Sequence, residues 1–177
     1  NTQAINRSIW ERSTRTLLAA PCDRIALHRN QWRGDEAGTP FEVDTLELTE
    51  VDAEGRIVAA ILFDPDDRHA AGDEVLERYA RSDAGRGWSE AGWELARAMR
   101  AHDLDRARTL MLDTFVFHDR RRFGAGRIRK EEHLASLEAL FEHSSDAVVE
   151  PLYYLAEEGH GTLSVAHTFG TRIEGGA

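Results

Sequence analysis

The chain has 177 residues, 41% of them hydrophobic and 8% aromatic: enough for one packed domain or one and a fraction, and too apolar for a disordered chain. Its net charge of −10 is concentrated, because thirteen acids against two arginines fall within 35–74 and leave the remainder near +1. Such an acidic chain gains nothing from counterion release, which argues against duplex nucleic acid and anionic membrane surfaces as main partners.

One cysteine, Cys22, leaves no internal disulfide and no CxxC metal site, and suits a reducing cytoplasm. No apolar run reaches the roughly 18 residues of a spanning helix, and no basic-then-apolar leader is visible. The first residue is Asn1 rather than Met, which reads as removal or replacement of something upstream.

In chain order, 15–20, 24–33, 41–51 and 56–63 read as strands, rich in Val43, Leu46, Leu48, Val51, Ile57, Val58, Ile61 and Leu62. Asp52-Ala53-Glu54-Gly55 reads as a hairpin turn whose glycine takes a positive φ. This is an antiparallel meander over 13–64. Within 65–88, an acidic cluster precedes a short helix carrying Val75, Leu76 and Tyr79, and 81–87 is a Gly- and Ser-containing linker. Over 89–173, Ser89 caps a helix reaching His102, and 106–112 is a second helix. Residues 115–121 and 127–129 are strands around Gly124-Ala125-Gly126, and 131–142 is a third helix presenting Leu134, Leu137, Leu140 and Phe141. Two last strands, 148–157 and 162–173, flank an acidic glycine turn. Strands, then helices, then strands define an α+β pattern. A faint internal echo links Arg24-Ile25-Ala26-Leu27-His28 and Arg33 with Leu163-Ser164-Val165-Ala166-His167 and Arg172, which either a repeat or shared strand composition explains.

The run Asp103-Leu104-Asp105, then Leu110-Met111-Leu112-Asp113-Thr114-Phe115-Val116-Phe117-His118-Asp119 and the Gly124 turn, resembles the nuclear transport factor two-like superfamily. The similarity is to its ketosteroid isomerase-like and SnoaL-like polyketide cyclase branches. The meander over 41–63 resembles that family's closing hairpin, but here it comes first rather than last. The resemblance implies one composite domain over 1–177: a cone-shaped, curved antiparallel sheet packed on about three helices, an α+β barrel. The front piece then closes the rear one within a chain or by strand exchange in a homodimer. A truncated tandem is the other reading.

The same resemblance places Asp119 where the family holds its general base and Glu47 where a protonated acid donates to an oxyanion. Strand parity puts Asp119 with Phe115 and Phe117, an apolar setting that raises a carboxyl pKa by desolvation and suits it to proton abstraction. Leu95 stands where a family tyrosine aligns, which counts against steroid-type isomerisation. His28 and His167, with Arg33 and Arg172, are cationic or proton-transfer candidates, and His167 joins Asp119 and Glu47 as the catalytic set. Trp93, Phe115, Phe117, Tyr153 and Arg172 are expected to line a pocket for a small hydrophobic ligand. Asp64, Asp66, Asp67 and His69 read as helix capping rather than a metal site. Arg120, Arg121, Arg122, Arg127, Arg129 and Lys130 form a charged hairpin, either a solvated edge or a contact for an acidic partner such as the 35–74 stretch of a second chain. No glycine-rich phosphate loop, zinc-protease helix or nucleophile elbow occurs, so no cofactor is expected. Two functions fit: a cofactor-independent isomerase, cyclase, dehydratase or epoxide hydrolase, or a non-catalytic ligand-binding or dimerisation module of the same fold.

Overall fold

The computed structural model describes residues 10–36, 39–158 and 161–171. The element order is β1 (Trp10–Cys22), β2 (Ile25–Glu36), β3 (Thr39–Val51), β4 (Ile57–Phe63), α1 (Arg68–Arg81), a 3-10 turn (Ala84–Gly87), α2 (Glu90–Arg100) and α3 (Leu104–Leu110). There follow β5 (Val116–Asp119), β6 (Gly126–Arg129), α4 (Lys130–His143), β7 (Val148–Glu158) and β8 (Gly161–Phe169). The chain is α+β and divides into two compact units: 1–87 with 150–166, and 88–149 with 167–177.

In the first unit the meander becomes a sheet with β7 and β8 beside it, in the order β4-β3-β2-β1-β7-β8. Two expectations are corrected here. The sheet has two edges, β4 and β8, so it is not closed into a barrel. Nor is it wholly antiparallel, since β7 joins β1 in parallel, with Ala20 opposite Tyr153. A long chain excursion separates those two strands, so nothing local forces them antiparallel.

Strand alternation gives the sheet two unlike faces. On one, Ile25, Leu27, Leu46 and Leu48 are at most 2% exposed. Above them α1 buries Ala71, Val75 and Tyr79, and its Arg78 reaches Glu50 of β3 and Glu74 of its own helix. Each such aliphatic contributes about 1.5–3 kcal/mol of transfer free energy. Further along the same face the pattern turns charged, with Arg29 bidentate to Asp44 and Arg33 paired with Glu42. On the opposite face Leu17, Val43, Val58 and Leu62 stay exposed. The β3–β4 turn closes as its sequence predicts, with Gly55 at φ 77° and the Asp52 carboxylate accepting from the amides of Glu54 and Arg56. Asp67 stands at the N-terminus of α1 but makes no side-chain cap, so the capping expected there is absent.

The second unit is built on helices. Ser89 Oγ accepts from the Gly92 amide and starts α2. Asp103 accepts from the Arg106 amide and starts α3. α2 stops at Arg100, two residues before His102, which has a positive φ of 55°. Ala98, Ala107 and Leu134 form its buried core, ringed by Leu95, Met99, Leu104, Leu110 and Met111. His102 stacks on Phe141 at 3.6 Å and bonds through Nε2 to the Ala147 carbonyl. Among the described residues no helix is long and apolar enough to cross a membrane.

Candidate functional site

The expected general base is already occupied. Asp119 ends β5, opposite Gly126 of β6, and the loop between them folds back over its carboxylate. Arg121 donates its backbone amide at 3.1 Å, Nε at 2.9 Å and Nη2 at 2.6 Å, and the Ala125 amide adds a fourth bond at 3.3 Å. Gly124 passes so near that a Cβ there would lie 2.3 Å from the Asp119 Cγ. The Arg121 side chain, followed by the two amides, holds the carboxyl well below the usual carboxylate range. This corrects the expected direction: charge-assisted bonds to the ionised form outweigh desolvation. A carboxylate so stabilised is a weak base for a carbon acid.

The neighbouring residues of that strand have their own partner. Phe117 stacks on His133 of α4 at 4.4 Å and Phe115 is tilted against it at 5.4 Å. Burial lowers the His133 pKa, so the ring is neutral at pH 7. Its place four residues into an amphipathic helix gave no sequence signal beyond that of an ordinary half-buried position. Trp93 is buried and stacks on Trp88 at 4.6 Å. His167 meets Phe169 edge-on. Tyr153 is exposed on β7, whereas Tyr154 turns the other way and stacks on Tyr79 at 5.2 Å. Arg172 lies outside the described residues. A cleft of about 690 Å³ in this second unit is lined by Asp113, Arg127, Arg129, Lys130, Glu131 and Glu132, a charged rather than an apolar wall.

Glu47 stands elsewhere, on the exposed sheet face of the first unit, with a set of polar groups gathered around it. The registers place Arg15 opposite Asn30, His28 opposite both Leu17 and Glu47, and Asn30 opposite Thr45, so all share one face. Asn30 Nδ2 donates to Glu47 Oε2 at 2.6 Å, and Arg15 Nη2 lies 3.9 Å from the same oxygen. In both contacts the Glu47 oxygen accepts, whereas the role implied by resemblance is a donor's. Arg15 Nη2 also lies 3.1 Å from His28 Nδ1. A guanidinium can only donate, which assigns the imidazole proton to Nε2. Burial, then the Arg15 charge, lowers the His28 pKa while Glu47 pulls it up, leaving a neutral ring at pH 7.

The cluster is graded in exposure, from a buried Asn30 to the Glu47 and Arg15 side chains at 29% and 55%. Asn30 is 3% exposed, while Arg15, Leu17 and Val43 around it remain accessible. Thr45 Oγ1 is buried with no hydrogen-bond partner among the described residues, and Glu47 Oε1 and His28 Nε2 have none there either. The site therefore offers an acceptor, a neutral donor and a guanidinium within a rim of Leu17, Val43 and Leu62. Among the described residues no three His, Cys, Asp or Glu side chains come together as metal ligands. No family model, curated protein or solved structure matches the chain.

Proposed function

We propose that this protein is a non-catalytic binding module for a small, mostly apolar molecule bearing a carbonyl or hydroxyl head, held on the exposed sheet face of the first unit. One observation carries the reading: a polar cluster, Arg15–His28–Asn30–Glu47, anchored on the buried Asn30, with unspent hydrogen-bonding capacity beside the exposed apolar Leu17, Val43 and Leu62. Arg15 and His28 Nε2 suit a carbonyl oxygen; Glu47 Oε1 suits a hydroxyl. Leu17, Val43 and Leu62 suit the hydrocarbon body. The state of Asp119 favours binding over turnover, since the carboxylate that the resemblance makes a base is consumed by its own hairpin. The nuclear transport factor two-like resemblance, with its cone-shaped sheet, remains the family reading we favour, because that fold hosts binding modules as well as enzymes.

The test is a thermal-shift screen of medium-chain ketones and alcohols, repeated on Glu47→Gln and Asp119→Asn, with recovered compounds checked for chemical change. Hydrogen bonds to charged groups are worth about 1.5–3 kcal/mol, so Glu47→Gln should weaken an alcohol hit about tenfold or more. Asp119→Asn should bind as the parent does, and the compound should return unchanged. Turnover abolished by Asp119→Asn would overturn the proposal.

A further inference from the structure

We infer that a second copy of this chain pairs with β4, edge to edge, in a two-fold dimer centred on Ala60. Within the described six-strand sheet β4 is an edge, bonded to β3 alone. Its seven residues, Ile57-Val58-Ala59-Ala60-Ile61-Leu62-Phe63, contain no charge, proline or glycine. Soluble proteins blunt such edges with Lys, Pro, bulges or cover, because unpaired amides and carbonyls template further pairing. Here Ile57, Val58 and Leu62 are 68%, 60% and 66% exposed.

The occupant follows from the flanks. A two-fold axis normal to the sheet sets two copies of one strand antiparallel, each residue facing one of the same parity. With Ala60 on the axis, Val58 faces Leu62 of the other copy on the exposed face and Ala59 faces Ile61 on the core face, while a register shift after Glu50 sets Ile57 opposite Val51 at the end of the strand. The same register brings Arg56 opposite Asp64 at both ends. Arg56 spends Nε on Asp52 and Nη2 on Glu54, keeping Nη1, and the Asp64 carboxylate has no partner among the described residues. Moving the axis by one residue toward the N-terminus sets Asp64 against Glu54, and moving it the other way sets Asp64 against Val58 and carries Arg56 past Pro65, where the ladder has already stopped. Like charges or a charge against an apolar side chain penalise both slips, so the flanks specify the centred register. Pro65 then stops the ladder. This inference does not depend on the proposed ligand.

The experiment is sedimentation velocity on the full chain over a concentration series, with circular dichroism to confirm folding. The parent should be dimeric at the upper end. Ala60→Lys, at an exposed position, should be folded and monomeric because two lysines meet on the axis. Arg56→Glu should raise the dimer dissociation constant about tenfold or more, and adding Asp64→Arg should restore it. A parent that stays monomeric throughout, a folded Ala60→Lys chain that still dimerises, or a charge swap without rescue would each overturn the inference. Should Ala60→Lys fail to fold, Val58→Lys gives the same reading on the exposed face.

Discussion

Glu150→Ala tests how the rear of the chain is tied into the first unit. Arg68 of α1 donates Nε at 3.2 Å and Nη2 at 2.7 Å to one oxygen of Glu150 on β7, across 82 positions of sequence. The two side chains are 18% and 5% exposed, so the pair is largely withdrawn from water. Removing the carboxylate takes both of these charge-assisted bonds from the guanidinium, and breaking a buried pair from one side costs about 3–5 kcal/mol. Against a typical total of about 5–15 kcal/mol, this is a large share. With a urea slope of about 2 kcal/mol per molar, the midpoint followed by far-ultraviolet circular dichroism should fall by roughly 2 M. The double variant Arg68→Met/Glu150→Leu removes both charges and should recover to within about 1 kcal/mol of the parent. A Glu150→Ala chain that loses less than about 1 kcal/mol, or a double variant no better than the single, would refute the reasoning.

Two further outcomes follow from the polar networks. Asp119→Asn should loosen the β5–β6 hairpin, speeding amide exchange at Arg121 and Ala125, because a neutral amide cannot hold the guanidinium and both amides as the carboxylate does; unchanged exchange there would contradict the structural role assigned to it. Asp146 accepts from the Thr171 amide and hydroxyl and from Ser144 Oγ, and the Thr171 amide above all lowers its pKa to about 2. The folded value lies below the unfolded one of about 3.9, so this tie is in full force above that pH and is lost as pH falls through about 2. A nuclear magnetic resonance titration should find the Thr171 amide shift following Asp146 near pH 2, and a midpoint near 4 would contradict the geometry.

Local chemistry made much of the fold legible. Alternating apolar residues marked β2, β3 and β4, Gly55 marked a turn that needs positive φ, and Ser89 marked a helix start, whereas the helix capped by Asp103 begins at Leu104, two residues before the start read from the sequence. Long-range choices were not legible. Nothing in residues 10–22 or 148–158 specifies that these strands run parallel, and nothing near Arg68 names Glu150 as its partner. Parity did place Phe115 and Phe117 on one ring, that of His133. It failed to foresee the fate of Asp119 because a strand-end carboxylate is free to bend into its own turn. The signal was present in Arg121, two residues on, and in Gly124, whose missing Cβ admits the carboxylate. Glu47 was visible only as a residue on a strand, since its companions Arg15, His28 and Asn30 come from two other strands and meet it only once the register is set.

Amide hydrogen exchange with and without the best compound from the ligand screen bears most directly on where this protein binds. The account predicts slowed exchange over residues 13–17, 28–32 and 43–47, the three strands that carry the cluster. Protection confined to 115–130, around Asp119 and its hairpin, would contradict it.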